Sequence, residues 1–543
     1  MDATNTFSLL DNPWIPVLRT DGTKDELALR TLLAEADDII ELVGESPTQN
    51  FTLIRLLLAI LHRAIDGPND PDEWADLYES GQLPQQEIKS YLNRYEHRFH
   101  LFHPGTPFYQ VADLHTAKHE VSTLEKLLAD VPAGGQLFTG RANDALARIS
   151  LPEAARWLIQ VQGYDISGIK TGAVGDPRVK GGKGYPIGTG HAGSLGGIYI
   201  DGKTLSDTLL LNLVSNKDIG TPVWEREPHT AAPEGHAEEL RTPTGITDLY
   251  TWQSRRIRLV RQDDWVTGIV LSNGDKILPN DTYPLEPMTM WRRSPAQEKK
   301  LKRKLVYFPR THDPHKSLWR SAESLLPIAG QGGSNGSEPA AFESPGVVQH
   351  LRDRVEDGDL DEHTRVTVRA IGMEYGAHSA STVDVISDTL TFQASVITDD
   401  VRRHGLVGEA VERATEACKA LGLFAADLIR AAGGDGDAQV GARDTARESG
   451  YEAIDRGFRA WLADLDTPSE PKDPRIAWQR QVKKELNALS ERLIATAPPS
   501  AYAGVKEDDR YFNVAISQRR FTGRLKKALP AAFESPEPER SAS

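Results

Sequence analysis

Apolar residues recur at intervals of three and four from about residue 400 onward. The runs cover residues 407–428, 451–465, 482–493 and 512–529. This spacing predicts amphipathic helices. The polar segments "GGDGDAQ", "DTPSEPKDP" and "APPS" separate the runs. Helices joined by short polar loops bury their apolar stripes against one another as an antiparallel bundle. We therefore predict a C-terminal four-helix bundle over residues 398–543, with "ESPEPERSAS" at its end as a disordered tail.

The preceding 397 residues have a more mixed pattern. Residues 50–65, "NFTLIRLLLAILHRAI", are apolar on nearly all sides and predict a buried helix. Residues 240–310 alternate in short β-like runs, with an Asn-Gly turn at 273–274. The expected fold class is α+β: a large, irregular mixed α/β N-terminal domain (1–397) containing a glycine-rich loop, followed by the four-helix bundle.

Composition narrows the class of protein. With 543 residues the chain is too long for one core, so two or three domains are expected. No apolar run is long enough for a membrane helix, and "MDATNTFSLL" lacks the features of a secretion signal, so we expect a cytoplasmic protein without membrane contact. The single cysteine, Cys418, excludes a disulfide framework and a multi-cysteine zinc site. It lies on an apolar stripe and is predicted to be a core residue.

Positive charge is concentrated in four segments. They are residues 175–197, 252–261, 299–310 and 519–527, which together carry a net charge of +17. The whole chain has a formal charge of −15, so the remainder sums to −32. This separation suits an acidic body with dedicated anion-binding faces, although solvated helix faces and strand edges are the alternative for any single cluster.

The glycine-rich segment "GKGYPIGTGHAG" satisfies the dinucleotide-binding spacing G-x-G-x-x-G at Gly188, Gly190 and Gly193. That fingerprint needs a buried strand before the glycines and a helix after them. Upstream "DPRVKGGKGYP" does not fit a buried strand, and Gly196 and Gly197 interrupt a helix. We therefore favour a basic loop over a dinucleotide-binding turn. The loop has few side chains that would keep a phosphate-bearing partner away. A nucleotide- or phosphate-binding enzyme remains the alternative.

Histidine spacing offers weak support for a metal. His97, His100 and His103 do not present a closed face with a neighbouring carboxylate, and His312 and His315 are no better placed. Nucleophile-elbow, Walker and kinase motifs are missing from the sequence. The sequence predicts no metal and no cofactor, and the missing motifs argue against an enzyme without excluding one.

Five ordered segments together are similar to one family. They are "FSLLDNPWIPV" (7–17), "HLFHPGTPFYQ" (100–110), "LEKLLADVPAGGQLFTGR" (124–141), "PTGITDLYTWQSRRIRL" (243–259) and "DPHKSLWR" (313–320). The chain resembles the large subunit (CasA family) of the type I-E CRISPR surveillance complex, Cascade. The resemblance implies a non-catalytic subunit that recognises the protospacer-adjacent motif from the minor groove and helps start R-loop formation.

The same resemblance implies partners. They are double-stranded target DNA, the displaced non-target strand, guide RNA with the other Cascade subunits, and a helicase-nuclease that docks on this subunit. In RNA-guided systems base pairing reads the target sequence, whereas protein reads the short adjacent motif and the phosphate backbone.

The resemblance also carries site residues onto this sequence. The minor-groove loop matches Lys183, Gly184, Gly188, Gly190, His191 and Gly193. The strand-separating wedge matches His378, Ser379 and Ala380, where the glutamine of well-known members is missing. The loop that anchors the subunit near the guide RNA matches Phe138, Arg141 and Asn143. Candidate contacts to the DNA backbone are Arg178, Lys180, Arg292, Arg293, Arg519, Arg520, Arg524, Lys526 and Lys527.

Overall fold

A computed structural model describes residues 6–131, 147–234, 240–326, 339–398, 401–507 and 510–534. Phe138, Arg141 and Asn143, predicted to anchor the subunit, lie outside the described residues, as does the predicted tail beyond residue 534. The chain forms two compact units. The first comprises residues 1–318, 330–359 and 367–389, and the second comprises 319–329, 360–366 and 390–543.

The first unit is a mixture of short helices and small sheets. Its helices are α1 (Leu29–Ala34), α2 (Pro47–Ile65), α3 (Pro71–Ser80), α4 (Gln85–Arg94), α5 (Leu151–Tyr164), α6 (Leu205–Leu211), α7 (Ile246–Tyr250), α8 (Pro295–Leu301) and α10 (Gly346–Glu356), and the second unit contains α9 (Ala322–Leu325). The irregular mixture agrees with the predicted fold class.

The strands form several small sheets. They are β1 (Ile15–Arg19), β2 (Lys24–Leu27), β3 (Ile39–Leu42), β4 (Ile149–Ser150), β5 (Lys170–Thr171), β6 (Lys183–Gly184), β7 (Gly197–Asp201), β8 (Arg255–Gln262), β9 (Trp265–Asn273), β10 (Trp291–Arg293), β11 (Tyr307–Pro309), β12 (Phe342–Glu343), β13 (Arg365–Tyr375) and β14 (Thr382–Gln393). The strand orders are β2-β1-β3, β4-β9-β8, β5-β6, β14-β13-β7 and β11-β10-β12. In the sheet β14-β13-β7, β13 runs antiparallel to β7 with Val368 opposite Ile200.

Helix α2 forms the centre of the first unit. Ser46 caps its N-terminus by accepting a hydrogen bond from the Gln49 amide, and Pro47 occupies the first turn, where a missing N–H costs nothing. Asp66 ends the helix in a left-handed conformation. Fourteen of its 19 residues are buried, and it packs against α4, α5 and α7. The predicted all-round apolar helix is confirmed.

The second unit is mainly helical. Its remaining elements are α11 (Val401–Ala431), α12 (Gly436–Asp464), α13 (Pro474–Ala495), α14 (Pro499–Ala503), β15 (Val505–Glu507), β16 (Arg510–Phe512) and α15 (Val514–Ala528). Helices α12, α13 and α15 begin at side-chain caps supplied by Asp435, Asp473 and Asn513. The four long helices match the four predicted runs. Periodicity did not reveal α14 and the small hairpin before α15.

Cys418 is fully buried on α11, and burial raises the pKa of its thiol to about 12. Such a thiol is protonated at neutral pH and packs as a small apolar group, which confirms its predicted core position. None of the described helices combines the length and apolar character needed to cross a bilayer.

Candidate functional site

The glycine-rich segment begins with a short hairpin, which we call the basic hairpin (residues 170–184). Strand β5 pairs with β6, with Lys170 opposite Gly184. The backbones of Lys180 and Lys183 exchange two hydrogen bonds of 3.1 Å around Gly181 and Gly182, both at positive φ. Lys180 and Lys183 are exposed, and neither forms an ion pair with another described residue. The hairpin therefore presents two free cations to solvent.

Arg178 has a different role from these lysines. Its guanidinium donates to both carboxylate oxygens of Asp176, at 2.9 and 3.0 Å. It also donates to the backbone carbonyls of Asn273 and Gly274, at 3.1 and 2.9 Å. These bonds tie the hairpin to the end of β9 and use most of the donors of Arg178. The predicted backbone contact is thus mainly a structural support of the hairpin.

The three glycines of the G-x-G-x-x-G pattern occupy unlike environments. Gly188 has φ +114°, and no other heavy atom lies within 4 Å of the position that a Cβ would take. A Cβ on Gly190 would overlap the backbone of Gly163, and one on Gly193 would overlap the Tyr375 hydroxyl. The segment continues into a three-residue 3₁₀ turn at Ala192–Ser194 and then into β7, not into a helix. This geometry does not match a dinucleotide-binding turn.

His191 is buried beneath the glycine segment. Its Nε2 lies 3.0 Å from Glu286 Oε2, and Arg55 donates two hydrogen bonds of 2.8 Å to the same carboxylate. Burial lowers the pKa of His191, so the ring is neutral. Burial acts to raise the pKa of Glu286, but the Arg55 charge and the bonds from His191 and Arg55 lower it to about 2. The expectation that His191 faces a ligand is corrected: it supports the loop from inside.

Gly190 and Gly193 are buried as well, so only the first part of Lys183–Gly193 reaches the surface. A second buried cluster holds this part in place. Arg255 pairs with Asp165 and donates to the Gly188 carbonyl at 2.8 Å, while Lys170 Nζ lies 2.6 Å from the Asp165 carboxylate. The glycine segment is therefore fixed from below by two groups of buried charges.

The predicted wedge lies at the tip of the β13–β14 hairpin. His378 and Ala380 are exposed, and His378 and Ser379 both have positive φ, at 56° and 54°. The Ser167 amide donates to the Ser379 carbonyl at 2.7 Å, just before the basic hairpin begins. Tyr375 donates to the carbonyl of Tyr164 at 2.8 Å. Two predicted sites almost 200 residues apart in sequence are thus neighbours.

The basic segments differ in their exposure. In residues 252–261, Arg255 and Arg256 are buried, and Arg256 pairs with Asp275 at 3.0 Å, which corrects the expectation of a basic face there. Lysines 299, 300, 302 and 304 are exposed. Arg292 is exposed, whereas Arg293 pairs with Glu298 at 2.8 Å.

On α15 the exposed cations are Arg519, Lys526 and Lys527. Arg524 pairs with Asp427 at 2.8 Å, and Arg520 lies over the Phe512 ring at 4.6 Å. Three of the five predicted cations of this helix are therefore exposed, and two are partly engaged by neighbours.

One described cluster has the spacing of metal ligands. Ligand atoms of His229, Glu234 and Asp275 lie within 4.8 Å of one another. The carboxylates here already pair with arginines: Glu234 with Arg226 and Arg241, Asp248 with Arg226 and Arg241, and Asp275 with Arg256. Three carboxylates balance three guanidiniums, so a divalent cation would add uncompensated buried charge. The cluster does not fit a metal.

Three of the histidines considered as metal ligands in the sequence, His100, His103 and His312, have protein partners. His100 Nδ1 lies 2.7 Å from the Thr6 hydroxyl, and His103 Nδ1 accepts from the Thr106 amide at 2.9 Å. His312 Nε2 lies 3.0 Å from the Gly197 carbonyl. These contacts explain the rings as packing and loop-stabilising groups.

Sequence reasoning missed the supports of the site. Arg55 could have been recognised from the sequence, because an arginine inside an otherwise apolar helix requires a buried counter-charge. Glu286 and Tyr375 gave none, since their positions depend on contacts between distant segments. Tyr185, which follows β6 and is 56% exposed, was also overlooked.

The chain matches known proteins along most of its length. The family model described as CRISPR-associated protein Cse1 matches residues 8–489. The CRISPR-associated protein CasA/Cse1 of Thermus thermophilus is 29% identical over 446 residues, which cover 80% of each chain. The crystal structure of Thermobifida fusca Cse1 has a TM-score of 0.87 at 43% identity, covering 97% of this chain and 98% of that chain.

A chain from a CRISPR RNA-guided surveillance complex has the same fold, with a TM-score of 0.68 at 19% identity, covering 96% of this chain and 99% of that chain. The family resemblance predicted from the ordered sequence motifs is confirmed. Both the family model and the Thermobifida structure span most of the sequence, and the chain therefore belongs to the CRISPR-associated Cse1 family.

Proposed function

We propose that this chain is the DNA-inspecting large subunit of a type I-E CRISPR surveillance complex. It recognises the protospacer-adjacent motif from the minor groove and begins strand separation beside it. The observation that carries this proposal is the contact between the segment before the basic hairpin and the β13–β14 tip, through Ser167 and Ser379. A motif reader and a strand-separating element must lie side by side, because the strands open next to the motif.

The composition of the loop suits the minor groove. The groove is about 6 Å wide, so a backbone enters it only where side chains are small. Gly181 and Gly182 are exposed, Gly188 is half-buried, and all three have positive φ. Lys180 and Lys183 contact the flanking phosphates and fix the loop without reading sequence. Because the minor-groove code is degenerate, the subunit tolerates several related motifs.

The tip of the β13–β14 hairpin acts as the wedge. His378 and Ala380 are exposed there, and the tip is tied to the loop before the basic hairpin. His378 replaces the missing glutamine as the largest group at the tip. In the second unit, the exposed cations Arg519, Lys526 and Lys527 on α15 are the candidate contacts to the displaced strand.

The partners of this subunit are the guide RNA with the other Cascade subunits and the helicase-nuclease that docks after the R-loop forms. The family membership and the surveillance complex with the same fold support this assignment. The subunit performs no catalysis of its own.

The experiment is the salt dependence of DNA binding by the assembled complex. Lys180→Ala/Lys183→Ala should weaken binding to motif-bearing and motif-lacking duplexes by similar factors. Each lost phosphate contact lowers the slope of log K against log salt by about 0.9. Lys89→Ala, an exposed lysine on α4, is the control and should change nothing. An unchanged slope in the double variant contradicts the proposal. A retained nucleotide, seen in absorbance, would favour the phosphate-binding enzyme instead.

A further inference from the structure

Two large apolar side chains are exposed beside the basic hairpin. Tyr185 is 56% exposed and Ile169 is 55% exposed. Lys170 pairs with Gly184 and Thr171 with Lys183 in this two-stranded sheet. Extending that register by one residue places Ile169 opposite Tyr185, and directly opposed residues share a face of the sheet. The open end of the basic hairpin therefore continues into two exposed apolar side chains, Ile169 and Tyr185.

The backbone holds Tyr185 in a defined position. Asn273 Nδ2 donates to the Tyr185 carbonyl at 2.7 Å. Gly184 allows this approach, because a Cβ there would lie 2.9 Å from Asn273 Nδ2. Arg178 in turn donates to the Asn273 carbonyl at 3.1 Å. The aromatic ring thus projects from a braced backbone, which lowers the entropy lost when it contacts a partner.

The charge around the pair indicates the chemistry of that partner. Lys180 and Lys183 are exposed on the same hairpin and pair with no carboxylate of the described residues. Protein–protein interfaces are depleted in lysine, whereas nucleic acids offer phosphates beside apolar base faces. Proteins that bend DNA from the minor groove insert apolar side chains between base steps. Apolar groups flanked by free lysines favour DNA.

We propose that Ile169 and Tyr185 form an apolar wedge that enters the minor groove next to the motif and unstacks one base step. This inference rests on the proposed function and adds to it. The wedge would loosen the duplex before the strands separate at the β13–β14 tip. Lys180 and Lys183 hold adjacent phosphates while the apolar pair contacts the bases.

The test uses the assembled complex and a motif-bearing duplex with 2-aminopurine at the step beside the motif. The fluorescence of 2-aminopurine rises when the base is unstacked. Tyr185→Ala should suppress this rise and weaken duplex binding about tenfold, because stacking on one aromatic ring stabilises by that order. Ile169→Ala should reduce the rise as well, because it removes the other member of the apolar pair. Tyr185→Trp should preserve both signals. Tyr502→Ala, at an exposed tyrosine of the second unit, is the control and should change neither.

The outcomes separate this inference from the proposed function. If Tyr185→Ala keeps wild-type fluorescence and affinity while Lys180→Ala/Lys183→Ala weakens binding, the apolar wedge of Ile169 and Tyr185 is overturned. The proposed function then stands. Unchanged DNA binding in both variants would overturn both. Poor incorporation of Tyr185→Ala into the complex, with normal DNA binding by the complexes that do form, would mean that the apolar pair contacts another protein subunit and that the inference is wrong.

Discussion

Arg55 lies in the middle of an otherwise apolar helix, and its guanidinium meets the Glu286 carboxylate through two bonds of 2.8 Å. Both side chains are almost fully buried. Two charges removed from water are tolerated only when each has its partner, because an unpaired buried ion costs several kcal/mol. His191 adds a neutral hydrogen bond to the same carboxylate and so joins the glycine segment to the core.

Glu286→Gln should therefore destabilise the protein strongly. The substitution keeps the shape of the side chain but leaves Arg55 buried without a counter-charge, and we expect a loss of about 3–5 kcal/mol in the free energy of unfolding. Denaturant unfolding of the purified chain measures it. Glu35→Gln, which breaks an ion pair between partly exposed Arg19 and Glu35, is the matched control and should cost much less. Equal losses in both variants would contradict the role assigned to the buried pair.

Residue identity predicted some of the site and misled elsewhere. The exposed lysines at 180 and 183 follow from a basic, glycine-rich stretch that cannot form a core. Arg255 and Arg256 were predicted on a basic face but are buried. Linear charge density does not reveal them, because their partners Asp165 and Asp275 come from other segments.

At the scale of elements, the glycine segment combines an exposed hairpin with a tightly packed return to β7. Gly188 stands in open space at positive φ, whereas Gly190 lies directly against the backbone of Gly163. The same substitution should therefore have different consequences at the two positions. A side chain at Gly188 strains only the local backbone, but one at Gly190 must displace the end of α5.

We expect Gly188→Val to fold and to weaken binding of motif-bearing duplex, with little effect on targets already opened beside the motif. Gly190→Val should lower the melting temperature markedly, because its side chain overlaps the Gly163 backbone. Thermal melting and duplex binding of both variants check this. Normal motif binding by Gly188→Val, or a wild-type melting temperature for Gly190→Val, would contradict the division of the segment into exposed and buried parts.

Element prediction succeeded where the pattern was local and long. Helix α2 and the four long C-terminal helices follow from apolar periodicity alone. The two-residue strands β5 and β6 carry no periodic signal, and their pairing depends on contacts that sequence spacing does not encode. The same limit explains why α14 and the β15–β16 hairpin were missed.

At the scale of the molecule, the helical unit takes in residues from outside the C-terminal segment. Trp319 is fully buried, its ring stacks on Phe458 with centroids 4.4 Å apart, and its Nε1 donates to Asp455 at 2.7 Å. Arg320 lies over the Tyr451 ring at 3.5 Å. A fragment of residues 398–535, which spans the four predicted helices, lacks both of these residues.

The fragment 398–535 should still be helical and melt cooperatively, because the apolar faces of its four helices bury one another. It should be less stable than the same helices in the full chain, since Phe458 loses its stacking partner. In the full chain, Trp319→Ala should cost about 3–5 kcal/mol of unfolding free energy. Circular dichroism and thermal melting of the fragment check the boundary. A disordered spectrum would reject it.

The central claim is that this subunit reads the adjacent motif from the minor groove. The most direct measurement compares duplexes in which single groove groups of the motif are removed, with the motif first selected from a randomised library by binding to the assembled complex. Inosine in place of guanine removes the amino group of the minor groove, whereas 7-deazaguanine or 7-deazaadenine removes an acceptor of the major groove. We predict that inosine changes the affinity of the complex for the duplex. At A·T pairs, removal of the minor-groove acceptor should change the affinity in the same way. The 7-deaza bases should leave the affinity unchanged. Sensitivity confined to the 7-deaza bases would contradict the account.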